Sequence, residues 1–285
     1  MQQRSAATMM HLIRQVAEAD ENIRAVGMEG SRNDPQAQQD EFSDFDITYF
    51  VEDPTPFRQS DDWLAVFGER IIMQKPTEAM FSGTKLPWYP YLMQFSDGNR
   101  LDLKIASVND KDAYLAAEHL NQLILDKDVP IVDQPDLSDW DFHIMAPSEE
   151  DYQNSVNEFF WVSLYVIKGL KRGELLYANQ FFERPVREEL LKMLEWSVGI
   201  NTNFQLSAGK NDRQLQSALS KDDYDKLIAT YQLESSVATW HALQTATQLF
   251  LATARVVADQ LGFDFPDYPA TVIAYETKLM AERSE

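Results

Sequence analysis

Asp44 and Asp46 stand one residue apart in the segment Asp44-Phe45-Asp46-Ile47-Thr48-Tyr49-Phe50-Val51, where polar and apolar side chains alternate. Side chains alternate faces along a strand, so the pattern predicts a strand that directs Asp44, Asp46 and Thr48 one way and Phe45, Ile47 and Tyr49 into a core. Two carboxylates held side by side repel unless a cation lies between them. Hard divalent ions such as Mg2+ take oxygen ligands from one or two carboxylates and from substrate phosphates. A third carboxylate, Asp102, lies on a second alternating segment, Arg100-Leu101-Asp102-Leu103-Lys104-Ile105, whose Leu101, Leu103 and Ile105 mark the buried face. If the two segments neighbour each other in one sheet, Asp102 completes a three-carboxylate cluster. Two ions held there about 3.5–4 Å apart would steady both the attacking and the leaving oxygens of an in-line displacement at phosphorus. The competing reading of Asp102 is a surface ion pair with Arg100 or Lys104. Upstream, Gly30-Ser31 ends a short apolar run. Glycine there lets the backbone approach a ligand closely, N–H groups can converge on phosphate oxygens, and the serine hydroxyl adds a neutral donor.

The elements that must position these residues are legible as periodicities. Residues 6–19 place Met9, Leu12, Ile13 and Val16 on one helical face, and residues 23–28 form the apolar run that ends at Gly30. Further strands are expected at 70–74 and 89–95, around a loop containing Pro76, Gly83, Pro87 and Pro90. The Asp97-Gly98 pair predicts a hairpin turn into the strand that carries Asp102. A helix is expected over about 110–125, followed by a Pro- and Asp-rich connection. Beyond it the periodicity is helical at 149–172, 183–198, 222–231, 235–261 and 270–282, with Gly173, Gly199, Gly262 and Pro266 as stops. These features predict an α/β domain over residues 1–140 and an all-α bundle over 141–285.

The chain of 285 residues carries 25 Lys and Arg against 46 Asp and Glu, a net charge of −21, and no cysteine. The missing thiols exclude disulfides, thiolate zinc sites and cysteine nucleophiles. So negative a surface repels nucleic-acid backbones and anionic lipid and attracts a polycationic small molecule, although such charge also simply keeps a protein soluble. No apolar run approaches a membrane span and the first residues lack a signal-peptide pattern, so a cytoplasmic location is expected. The four histidines, His11, His119, His143 and His241, lack the spacing of a helical metal site. Phe159, Phe160, Trp161 and Tyr165 read as a helical core stripe rather than a stacking platform.

Together, Gly30-Ser31, Asp44-x-Asp46 and Asp102 resemble the motif of the polymerase beta-like nucleotidyltransferase superfamily. The blocks Glu29-Gly30-Ser31-Arg32-Asn33, Phe67-Gly68-Glu69-Arg70, Met73-Gln74-Lys75-Pro76 and Asp97-Gly98-Asn99-Arg100-Leu101-Asp102-Leu103 are similar to the aminoglycoside 6-adenylyltransferases, which modify streptomycin. The likeness continues at Phe160-Trp161-Val162-Ser163-Leu164-Tyr165-Val166-Ile167-Lys168-Gly169-Leu170 and at Arg187-Glu188-Glu189-Leu190-Leu191. It implies an α/β nucleotidyltransferase domain with a mixed sheet, a helical substrate-binding domain and a site in the cleft between them. It implies transfer of AMP from ATP to a hydroxyl of a cationic aminoglycoside, with release of pyrophosphate. Asp44 and Asp46 would be Mg2+ ligands, Asp102 a ligand or general base, and Gly30, Ser31 and Arg32 the grip on the nucleotide phosphates. Lys168 is the best match for a triphosphate-binding lysine of the helical half, against its plain reading as a cation at a helix C-terminus. Glu158, Asp264 and Asp267 are candidates to bind the acceptor. The rival functions are a nucleotidyltransferase with a protein or metabolite acceptor, and a catalytically silent nucleotide-binding module. The oligomeric state is not legible.

Overall fold

The computed structural model describes residues 3–75, 88–132, 134–209 and 212–282, which fall into two compact units, 1–141 and 142–285. Pro76, Gly83 and Pro87 of the expected loop lie outside the described residues.

In the first unit, α1 (Ala6–Ala19) precedes β1 (Ile23–Glu29), β2 (Phe45–Val51) and the short α2 (Thr55–Gln59). Then come β3 (Arg70–Gln74), β4 (Tyr89–Phe95), β5 (Arg100–Ser107), α3 (Lys111–Ala117) and β6 (Gln122–Asp126). The six strands form one mixed sheet in the order β3-β4-β5-β2-β1-β6, in which β2 and β5 run parallel and the other pairs antiparallel. Ser5 caps α1 by accepting from the Thr8 N–H, and the apolar stripe of Met9, Ile13 and Ala17 is fully buried with Phe45, Ile47 and Tyr49. Each such large side chain contributes roughly 2 kcal/mol by leaving water. The Tyr49 hydroxyl donates to the Ile13 carbonyl at 2.7 Å, which satisfies it and fixes the helix along the sheet. At the β4–β5 turn, Gly98 takes φ +91° and Asp97 accepts from Arg4, holding the chain's beginning to the hairpin that carries Asp102.

One expectation fails in this unit. The helix foreseen over 110–125 ends at Ala117, and Gln122–Asp126 is instead the edge strand β6, paired with β1. Leu123, Ile124 and Leu125 form a continuous apolar run without helical period, and the open edge of β1 decides their state. On the face of β2 that carries Asp46, Thr48 and Phe50 are buried. Phe50 packs with Ala25 and Ala106 against Tyr114 of α3.

In the second unit, α4 (Glu149–Lys171), α5 (Leu175–Phe181), α6 (Arg187–Asn201), α7 (Leu215–Ala218), α8 (Lys221–Ala229), α9 (Ser236–Leu261) and α10 (Pro269–Ala281) bury a core of their own. Ser148 and Asp151 form a reciprocal capping box at the start of α4. Phe159 of α4 stacks on Phe250 of α9 at 4.0 Å and 11°, so the aromatic stripe is core, while Trp161 is 58% exposed. The helix expected from 183 is preceded by α5 and by a π-helical turn, Phe182–Val186, that contains Pro185. Proline lacks the N–H that an α-turn needs, and the wider turn absorbs the loss. Gly199 does not stop α6 but lies within it, where a Cβ would strike the Phe204 ring, so its role is close packing. Gly173 and Gly262 do stand where helices end, both with positive φ. No helix among the described residues is long and apolar enough to cross a membrane.

Candidate active site

The strand that carries Asp46 and the strand that carries Asp102 are direct parallel neighbours, and the two aspartates are register partners. Asp44, one residue before β2, shares their face. Carboxylate oxygens of Asp44, Asp46 and Asp102 all lie within 4.8 Å of one another, each residue half-buried. An all-oxygen set of this span matches the preference of a hard divalent cation. The electrostatics agree. Burial, followed by repulsion from Asp44, Asp102 and Glu29, pushes the Asp46 carboxyl up to about 7. A cation among these groups would relieve that repulsion.

The protein's own cations also face the cluster. The Arg100 guanidinium donates to both oxygens of Asp102 at 2.9 and 2.7 Å and stands 3.8 Å from Asp44. The ion pair weighed as an alternative for Asp102 is therefore present, and it coexists with the cluster. Lys104, on the same face, pairs with Glu29, which is the register partner of Asp46 on β1. Glu29 was missed from sequence, because only the β1–β2 register reveals it.

Gly30 and Ser31 open a single 3-10 turn, Gly30–Arg32, directly after β1. Gly30 has φ +73°, and a Cβ there would collide with the Asp46 carboxylate. Glycine thus does two things at once: it allows the left-handed turn and leaves room for the carboxylate beneath it. Ser31 follows half-buried beside the cluster's strand. The turn is pinned by Asn33, which sequence reasoning did not single out. Its buried amide donates to the Met28 carbonyl at 2.7 Å and the Leu120 carbonyl at 2.8 Å, and accepts from Gln122.

Arg32, expected in the phosphate grip, has a different engagement. Its Nε donates to the Asp44 carbonyl at 2.7 Å, its Nη2 to the Ser43 carbonyl, and the guanidinium lies 3.7 Å above the Phe45 ring centroid. It holds the backbone that presents Asp44. Lys168 is exposed near the end of α4, its ammonium 5.8 Å from the Tyr165 ring centroid. Of the acidic candidates on the helical unit, Glu158 lines a cavity of about 670 Å3 together with Glu189, Glu195 and Asn154, whereas Asp264 and Asp267 do not. Glu195 is pushed up to about 8 by burial and then by its hydrogen bond and proximity to Asp212.

These features fit a site that grips phosphates at a glycine turn and neutralises them with carboxylate-held cations. Known proteins point the same way. The family profile of streptomycin adenylyltransferase matches residues 3–279. An aminoglycoside 6-adenylyltransferase of Campylobacter jejuni is 35% identical over 95% of this chain and 94% of its own length. One from Bacillus subtilis (strain 168) is 35% identical over 95% of this chain and 96% of its own. The crystal structure of an aminoglycoside 6-adenyltransferase from Bacillus subtilis aligns over 98% of this chain and 100% of its own, with 32% identity and a TM-score of 0.50. Mixed α/β unit, helical unit and carboxylate face together agree with that likeness: the chain belongs to the streptomycin adenylyltransferase family of nucleotidyltransferases.

Proposed function

We propose that the protein transfers AMP from MgATP to the 6-hydroxyl of streptomycin and releases pyrophosphate. The observation that carries this reading is the in-register pairing of Asp46 with Asp102, beside Asp44 and beneath the Gly30 turn, in a chain whose full-length relatives are named for aminoglycoside 6-adenylylation.

Asp44 and Asp46 would hold the Mg2+ ions, two in our reading, which when bound neutralise phosphate charge. The Gly30-Ser31 turn offers backbone N–H groups and a hydroxyl to the nucleotide phosphates. The acceptor oxygen forms its bond to the α-phosphorus as the bond from that phosphorus to the bridging oxygen breaks, and pyrophosphate leaves with the electron pair. Asp102 takes the hydroxyl proton. Because Arg100 engages both oxygens of Asp102, one of those hydrogen bonds must be exchanged for the acceptor hydroxyl before the proton can move. Catalysis then rests on positioning and charge neutralisation. Lys168 is the helical unit's candidate triphosphate ligand.

The net charge of −21 supports a cationic acceptor and disfavours nucleic acid. Pyrophosphate release from ATP, measured across a panel of aminoglycosides, tests the reading. Streptomycin-dependent release with an adenylylated product supports it. Release that requires a protein or another metabolite instead, or no release with any acceptor, refutes it in favour of the rival nucleotidyltransferase or the silent module.

A further inference from the structure

Past Asp46 and Asp102, the same face of the sheet runs into a cavity of about 280 Å3. Thr48 and Phe50 of β2 and Ala106 of β5 form its floor, and Tyr114 of α3 forms a wall, its ring meeting Phe50 edge-on at 5.2 Å and 70°. Gly27 of β1 makes room for that wall, since an added Cβ would lie 2.8 Å from the Tyr114 ring. Three polar atoms on this lining, Thr48 Oγ1, the Tyr114 hydroxyl and Asn121 Oδ1, are buried and have no hydrogen-bond partner among the described residues. Thr48 is only 3% exposed.

Buried polar groups are almost always paired, so three orphans on one cavity mark positions that a ligand's own polar groups fill. Their chemistry restricts the ligand. The Asn121 amide nitrogen already donates to the Tyr114 carbonyl at 2.7 Å, so its free oxygen requires a donor, whereas the two hydroxyls can donate or accept. Carboxylates also line the cavity. Glu29 is paired with Lys104, whereas Glu118, exposed at the rim, makes no ion pair among the described residues; partial burial followed by the charge of Glu29 raises its carboxyl, and Lys104 opposes that shift. Asp110 is a third carboxylate on the lining, and Trp88, Phe50, Ala106, Ala113 and Ala117 supply its apolar part.

We propose that this cavity seats the hydroxyl- and ammonium-bearing ring of the acceptor whose oxygen is adenylylated, an inference that rests on the aminoglycoside reading above. The C–H face of such a ring lies on Phe50 and Ala106, its hydroxyls and N–H groups complete the three orphans, and its positive charge meets Glu118. The placement suits the reaction. Thr48 lies two residues past Asp46 and Lys104 two past Asp102, about 7 Å along their strands, so the ring sits next to the carboxylates without displacing a cation from them. A nucleobase brings no positive charge for Glu118 to meet, and a triphosphate would be repelled by it.

Thr48→Val and Tyr114→Phe remove only the unpartnered hydroxyls and test the proposal in the full chain. In the double variant we expect the KM for streptomycin to rise about tenfold, as loss of about one hydrogen bond in net affinity requires. The KM for MgATP should stay within about twofold and the melting temperature should not fall. Gly27→Ala, which pushes the Tyr114 ring into the cavity, should raise the streptomycin KM without deleting any polar group. Calorimetric titration with streptomycin alone should show the same loss of affinity. A rise confined to the MgATP KM would make this the nucleotide's pocket and overturn the proposal. So would wild-type values for both substrates, or a streptomycin effect confined to Glu158→Gln on the helical unit. Wild-type protein that neither binds nor modifies any aminoglycoside would fail the parent reading instead, a result distinct from unaltered variants of an active enzyme.

Discussion

Glu276 of α10 is 3% exposed and accepts a hydrogen bond from the Ser163 hydroxyl of α4. Burial outweighs that hydrogen bond and pushes the carboxyl from 4.5 up to about 7. The folded state therefore holds this proton more tightly than the unfolded state does. Its contribution to stability is fully present below pH of about 4.5 and is lost as pH rises through about 7. A shift from 4.5 to about 7, at 1.36 kcal/mol per pH unit, is worth roughly 3 kcal/mol by pH 8.5. Glu276→Gln keeps the shape and an oxygen acceptor for Ser163 but cannot ionise. Urea unfolding of both proteins at pH 5 and pH 8.5, with the helical unit followed by far-ultraviolet circular dichroism, measures the difference. The variant should be within about 1 kcal/mol of wild type at pH 5 and more stable by roughly 2–3 kcal/mol at pH 8.5. An equal difference at both pH values would show that Glu276 does not carry its proton across this range and would refute the reasoning.

Asp44→Asn or Asp46→Asn should lower kcat by more than about a hundredfold, since even outer partners of a metal site cost up to that much, while circular dichroism shows an intact fold. Near-native turnover in either would exclude the metal reading. Asp102→Asn should retain MgATP affinity in titration calorimetry and lose single-turnover rate if Asp102 is the base; weakened Mg2+-dependent ATP binding would make it a ligand instead. Gly30→Ala forces a Cβ into a left-handed turn, costing about 1–2 kcal/mol, and displaces Asp46, so both melting temperature and MgATP affinity should fall. Finally, kcat/KM for streptomycin should decline between low and physiological ionic strength more steeply than for ATP, as expected if the −21 charge recruits the acceptor.

What was legible in sequence was what a single segment encodes by itself. Strict alternation located β2 and β5 and the face bearing Asp44, Asp46 and Asp102, because apolar partners at every second residue leave one orientation open. Asp97-Gly98 likewise announced its turn through local backbone chemistry. The failures are all cases where a distant segment decides. β6 exists because β1 has a free edge, and Gly199 is helical because Phe204 needs its space. Glu29 joins the site's electrostatics through strand register, a property of pairs of strands that no window on one strand contains, whereas the Arg100–Asp102 pair lies within one strand and was legible. Arg32 shows the converse: its type suited a phosphate, but the carbonyls of Ser43 and Asp44 lay within its reach.

The parallel pairing of β2 with β5 has a consequence for folding. The register partners Asp46 and Asp102 are separated in the chain by the helix α2 and the strands β3 and β4, and they meet only when β5 has docked between β4 and β2. Before that step the chain brings together only the Asp44 and Asp46 carboxylates; afterwards it holds a cluster of three that repels itself. Closing the sheet thus works against electrostatics, and a divalent cation held by the finished cluster would remove that opposition only at the end. An ion that recognises the finished sheet and nothing earlier shifts the folding equilibrium by mass action. A cation bound as proposed above would act on the α/β unit as a late clamp on an assembled sheet rather than as a nucleus around which the sheet forms.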